Sequence, residues 1–324
     1  MRPVYKMRPR SMLTKNDFGQ IGKLAVLSMI AWSTPPRYWR AAAVASCRMG
    51  QTDHCESLYQ RVLGPEYSNK AVATLGIARR VCRREATLQI LGLNGPWHAW
   101  RPNVRLHGEA HLKQALDVGR GVVLWVTESA HHSLIVKVAL YQAGYQVCHL
   151  SRPTHGFSAT RFGIRYLNPF CTRVEDRFLG ERVLILGDNT GSAMTTLRAR
   201  IAANRVVTIV VRPEARRFAE VPFLCHRIRV PTGPIRLAQD TGAALLPVFA
   251  FASADGHFEV TIQEALQPLD EKETSDAVAA AYVRRLEPYV RAYPEQWTGW
   301  DWIGDSSFVS NGQDGFVADG AQIS

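Results

Sequence analysis

The chain has 324 residues, 46% of them hydrophobic and 21% charged, the balance of a chain that buries a core rather than of a disordered one. Lys plus Arg number 39 against 28 Asp plus Glu, and the formal charge of +11 points to an anionic partner. No recognition-helix, zinc-finger or aromatic-basic RNA-binding pattern is present, which argues against nucleic acid and leaves an anionic phospholipid surface.

Residues 1–100 read as a helical N-terminal region. Within it, IGKLAVLSMIAW (residues 21–32) falls short of the roughly 18–20 apolar residues that a spanning helix needs. It lacks the small-residue cleavage pattern of a signal peptide, and Asp17 weakens its basic leader. Two expectations follow: a core helix, or a helix lying in the membrane interface with Trp32, Trp39, Arg37 and Arg40 at headgroup depth. The run SNKAVATLGIARRVCRREATLQILGL (68–93) has apolar residues at helical spacing and Arg on the other face. Pro96 and Pro102, with Trp97 and Trp100 between them, mark a break.

From residue 103 strands and helices alternate. NVRLHG is a short strand, and EAHLKQALDVG a helix stopped by Gly119. GVVLWVT (121–127) is a continuous apolar run, as in a strand covered on both faces. HHSLIVKVALYQAG is the next helix and YQVCHLS the next strand. ERVLILG and RVVTIVV repeat the strand pattern around the helix SAMTTLRARIAAN. GPIRLAQDTG has Pro234 at a helix start and Gly242 past its end. AALLPVFAF and HFEVTIQ are two strands joined through the hairpin signal Asp255-Gly256. TSDAVAAAYVRRLEPYVRAYP closes the series as a capped amphipathic helix. The fold class is therefore α/β: a mostly parallel central sheet flanked by helices over 101–305, with a flexible tail at 306–324. The six cysteines are scattered without a C-x-x-C pair, so a reduced environment is expected and a zinc site is not.

Sheets of this kind place their sites beyond the carboxyl ends of the strands. Glu128-Ser129-Ala130-His131-His132-Ser133 holds that position after GVVLWVT, with an acid, two imidazoles and two hydroxyls at a turn. Ser133 lacks the G-x-S-x-G elbow of a nucleophile and is taken as a substrate contact. A second group, Arg152, Arg161 and Arg165 in SRPTHGFSATRFGIRYLNP, suits a phosphate or phosphopantetheine, or else is a solvated basic face; Arg212, Arg216 and Arg217 extend it.

Several stretches together resemble the lipid A late acyltransferases, the lauroyl and myristoyl transferases. VRLHGEAHLKQALDVGRGVVLWV resembles the approach to that family's first core strand. VPFLCHRIRVPTGPIRLAQDTGAALLPVF resembles its apolar turn, Thr-Gly-Pro helix start and Pro-Val-Phe strand, and YPEQWTGW its carboxyl-terminal signature. Arg152-Pro153 matches the Arg-Pro that ends the family's next strand. The resemblance implies a monotopic or peripheral enzyme on the cytoplasmic face of a bacterial inner membrane. Such an enzyme takes an acyl chain from an acyl carrier protein or coenzyme A thioester to a hydroxyl or amine of a lipid or glycolipid. No metal or redox cofactor is implied.

The family's catalytic motif is His, four residues, then Asp or Glu, the carboxylate orienting an imidazole that takes the acceptor's proton. Here the His position falls on Glu128 and the acidic position on Ser133, and none of the ten histidines is followed five residues later by an acid. Three readings stand. Glu128 and His131 or His132 form a rearranged dyad, within reach if they are three or four apart on a helical turn. Alternatively, Glu128 alone is the base. In the third, the dyad is lost and the protein is a catalytically silent lipid binder of the same fold.

Overall fold

The computed structural model describes residues 14–47, 56–65, 67–187, 190–211, 217–253, 255–266 and 274–303. The expected tail over 306–324 lies outside them, as do Arg212 and Arg216.

Among the described residues the N-terminal region holds the α-helices α1 (Lys15–Ser33), α2 (Trp39–Ser46), α3 (Glu56–Leu63) and α4 (Asn69–Leu93). Ser68 caps α4, its Oγ accepting the Ala71 N–H at 3.2 Å. Leu24, Leu27 and Ala31 of α1 bury themselves with Trp39 and Ala43 against Val81, Leu88 and Leu91 of α4. The opposite side of α1 leaves Phe18, Val26, Met29 and Trp32 exposed. The 21–32 run is thus a core helix on one face and bare apolar surface on the other. No described helix is long and apolar enough to cross a membrane.

Trp39 corrects the expectation of an interfacial ring. It is buried, its Nε1–H donates to the Ala31 carbonyl at 3.2 Å, and its ring stands edge-on to Trp100 at 5.0 Å. Gly92 makes this possible, since a Cβ there would lie 2.2 Å from a Trp39 ring carbon. Trp32, Arg37 and Arg40 do stay exposed.

Asp17 fastens α1 to the loop after the third strand of the sheet. Its carboxylate accepts from Ser158 Oγ at 2.7 Å, Thr160 Oγ1 at 2.9 Å and the Thr14 N–H at 2.7 Å. The Ser158 hydrogen bond, against the opposing effect of burial and with help from Thr14 and Thr160, brings its pKa from 3.8 down to about 2. A depressed carboxyl pKa contributes stability above its unfolded value and loses it as pH falls through the folded one. Asp17→Asn is expected to expose α1 to limited proteolysis at neutral pH while the core melts unchanged. The wild type should gain the same sensitivity only between about pH 4 and 2.

The remaining elements are β1 (Val104–His107), α5 (Glu109–Asp117), β2 (Val122–Val126), α6 (His132–Gln142), β3 (Cys148–Ser151), α7 (Pro169–Asp176), β4 (Glu181–Leu184), α8 (Gly191–Ala202), β5 (Val206–Val210), β6 (Phe218–Phe223), β7 (His226–Pro231), α9 (Gly233–Thr241), β8 (Ala244–Ala252), β9 (Phe258–Ile262), α10 (Ser275–Ala292) and α11 (Trp300–Ile303). Seven strands form one sheet in the order β1-β9-β8-β2-β5-β3-β4. β2 pairs in parallel with both β5 and β8, and β3 with β5 and β4. β9 turns back antiparallel on β8 and carries β1 parallel to itself, so the sheet is mostly parallel with two reversed strands at one edge. Val123 and Trp125 enter the core beneath α9 and α10, while Val122, Leu124 and Val126 enter the core beneath α6. Five consecutive buried residues are what the apolar run predicts of a central strand.

Four of the described elements were not anticipated from the sequence: the antiparallel ribbon β6–β7, helix α7, helix α11 and the π-helical turn Gly163–Leu167.

Candidate active site

β2 ends inside the protein, and its last side chains are fixed before the chain turns. The Trp125 ring stacks on Tyr282 of α10 at 4.1 Å, and Thr127 Oγ1 shares a hydrogen bond with the Tyr282 hydroxyl. The chain then leaves the sheet through Glu128–His131, and α6 starts at His132. Glu128 and Ser133 are half-buried; Ser129, His131 and His132 are buried. Glu128 therefore precedes the helix, and the helical-turn spacing expected to join it to the imidazoles does not apply.

The two histidines diverge. His132 turns back on its own turn, with Nδ1 hydrogen-bonded to the Ser129 carbonyl and 3.1 Å from the Ser129 N–H. His131 points under the N-terminal helices. Its Nδ1 meets Gln89 Oε1 of α4 at 3.2 Å, and its ring lies 5.1 Å from that of Phe258. Burial first, and then the positive field of Arg40, push its pKa from 6.5 down to about 3. The ring is therefore neutral at physiological pH. With Nδ1–H donating to Gln89, the lone pair falls on Nε2, which is buried without a hydrogen-bond partner among the described residues.

Beneath α6 lies a second polar group. Lys137, one turn after Ser133, donates to the Ser133 carbonyl and lies 3.0 Å from Glu175 Oε2 of α7. The same oxygen accepts from Arg182 at 2.8 Å, while Oε1 accepts from His155 at 2.8 Å and Cys171 Sγ at 3.2 Å. His155, Cys171 and Glu175 are the one set of potential metal ligands that converges among the described residues. Two cations already neutralise Glu175 within 3.0 Å, which favours an internal ion cluster over a divalent metal there.

The arginines differ in exposure. Arg152 is half-buried directly after β3, whereas Arg161 and Arg165 lie exposed on and just before the π-helical turn, with Arg165 over the Tyr166 ring at 5.5 Å. Arg217 is exposed where β6 begins. Gln89 and Tyr282 were not among the residues expected at the site. Gln89 had one signal, a lone amide within the apolar Leu88–Leu91 stretch of a helix.

Glu128 thus stands half-buried just beyond the central strand of a mostly parallel sheet, the end at which sheets of this kind place their sites. Residues 94–303 match the bacterial lipid A biosynthesis acyltransferase family, and the chain belongs to that family. Among its relatives is the phosphatidylinositol mannoside acyltransferase of Mycolicibacterium smegmatis, 29% identical over 206 residues, which are 61% of this chain and 62% of that protein. The protein of the same name from Mycobacterium tuberculosis is 34% identical over 123 residues, 37% of each chain. The chain thus matches less than two thirds of the length of either relative.

Proposed function

We propose that this chain transfers a fatty acyl group from an acyl carrier protein or coenzyme A thioester to a hydroxyl of a glycolipid at a membrane surface. The observation that carries the reading is Glu128, half-buried at the carboxyl end of β2, where the family's motif has its histidine. In the proposed reaction the acceptor oxygen attacks the thioester carbonyl carbon while Glu128 takes the hydroxyl proton. The new C–O bond forms, the C–S bond breaks, and the proton passes on to the departing thiolate. His131, neutral and oriented by Gln89, lines the same turn and adds no charge to compete with the carboxylate. Arg152, after β3, is the candidate for a phosphate of donor or acceptor. Sugar-bearing acceptors are favoured because the family is described by lipid A and the relatives by phosphatidylinositol mannoside.

Attachment to the cytoplasmic face of a bacterial inner membrane would use the bare side of α1, where Phe18, Val26, Met29 and Trp32 face outward. Replacing Phe18 and Met29 together by Ser is expected to reduce sedimentation with anionic phospholipid vesicles several-fold. High salt alone should release the wild type only in part, since apolar burial is not screened.

Two assays test the function. Lipid profiling of a strain lacking the gene should lose one acylated glycolipid. Purified protein with palmitoyl-coenzyme A should acylate either a lipid A disaccharide precursor or phosphatidylinositol mannoside. An unchanged lipid profile together with no transfer to either acceptor would refute the proposal.

A further inference from the structure

The Tyr293–Trp297 signature, which the resemblance marks without giving it a task, ends beside Glu128. Gln296 is buried, and its side-chain amide closes a pair with one residue at the end of β8 while Nε2 also donates to Glu295 Oε1 at 3.4 Å. Ala252 N–H donates to Oε1 at 2.6 Å, and Nε2 donates to the Ala252 carbonyl at 2.7 Å. Only a group with one donor and one acceptor on a common planar head can close such a pair.

The backbone around Gln296 meanwhile holds the turn that bears the acid. The Ala130 N–H donates to the Gln296 carbonyl at 2.7 Å, Ser129 pairs antiparallel with Trp297, and the Thr298 N–H donates to the Glu128 carbonyl at 3.2 Å. Ser129 Oγ reaches the Ala250 carbonyl of β8 at 2.5 Å. Glu128–Ala130 is in effect a short extra strand laid between β8 and the signature. Trp297 and Trp300 of the same stretch are buried and packed edge-on at 4.9 Å, which anchors it in the core.

We propose that Gln296 is a positioning residue for acyl transfer. Its grip on Ala252 fixes the height of residues 296–298 above the sheet, and through them the aim of the Glu128 carboxylate. The proposal rests on the assignment of Glu128 as proton acceptor. Displacement of a reacting group by about 1 Å costs on the order of 100-fold in rate, so a clamp acting only through backbone can govern turnover.

Gln296→Glu provides the test, with palmitoyl-coenzyme A as donor and the acceptor that the wild type acylates. As a carboxylate, Glu cannot donate to the Ala252 carbonyl, so above neutral pH kcat should fall about 10- to 100-fold with KM nearly unchanged. As a neutral acid it restores both hydrogen bonds, its O–H donating to the carbonyl. Burial raises the pKa of an acid placed there. The ratio of variant to wild-type kcat should therefore climb toward one as pH falls, while Gln296→Ala stays low throughout. Melting curves must keep each variant folded at the assay temperature. Unchanged kcat in folded Gln296→Glu at high pH overturns the proposal, as does a loss that shows no recovery in acid. Glu128→Gln is run in parallel. Full activity there removes the target being positioned and overturns the Glu128 assignment itself, whereas its inactivity beside an indifferent Gln296→Glu overturns the positioning role alone.

Discussion

Glu128→Gln is expected to lower acyl transfer about 10²- to 10⁴-fold without unfolding the protein, the range of a lost general base. Glutamine has the same shape, and the site is half-buried at a turn whose backbone is bound on both sides, so the fold loses little. What goes is the group that can accept a proton. His131→Gln should cost less, because an imidazole whose pKa lies near 3 is a weak acceptor at neutral pH and keeps its geometry through Gln89. The rate profile of the wild type should accordingly have no limb near 6.5 that His131→Gln removes. Stability behaves differently. The folded pKa of His131 lies below its unfolded 6.5, so the folded state binds fewer protons and stability falls as pH drops from 6.5 toward 3. His131→Gln should flatten that acid slope in melting temperature. An acid rate limb near 6.5 that vanishes with His131 would move the base from the carboxylate to the imidazole.

The largest loss of stability is expected from Glu175→Gln, about 3–5 kcal/mol, or a drop of roughly 5–15 °C in melting temperature. Glu175 is fully buried, and one carboxylate serves Lys137, Arg182, His155 and Cys171. Burial alone would raise its pKa, but the Lys137 cation, then His155 and Arg182, hold it well below the carboxylate range. Neutralising it strands Lys137, itself buried on α6, the helix that follows the Glu128–His131 turn. Lys137→Met combined with Glu175→Leu should be milder than Glu175→Gln, because apolar replacement of both partners leaves no lone buried ammonium. The sign with pH follows from the depressed pKa: the contribution is full above the unfolded value of 4.5 and is lost as pH falls through the folded one. Chemical denaturation at pH 7 measures the single and double variants directly, and equal losses in both would remove the ion cluster as the cause.

Elements whose signal is local could be read from the sequence. Val122–Val126 announces a central strand by five apolar residues in a row, and Asp255-Gly256 announces the β8–β9 hairpin. The β6–β7 ribbon was masked because Pro222, lying exposed in β6, argues against a strand anywhere but at an edge. The site was legible only in part. The alternation of strands and helices pointed to the carboxyl end of Val122–Val126 as the place for a site, but the partners of the side chains there come from far along the chain. Gln89 reaches His131 across 42 positions and Gln296 reaches Ala252 across 44. Trp39 reads as an interfacial ring until Gly92, on another helix, opens the space that buries it. Spacing also misled: the distance from Glu128 to the histidines assumed a helix that begins only at His132.

A chain without the His-x4-acid motif is expected still to transfer acyl groups. Mass spectrometry of the glycolipid acceptor, incubated with purified protein and palmitoyl-coenzyme A, tests it most directly. The expected result is a mass gain of one palmitoyl group matched by an equal release of coenzyme A, with both lost in Glu128→Gln. Glycolipid that binds the protein but keeps its mass, with no thiol released, would contradict it and leave a lipid-binding protein on an acyltransferase fold.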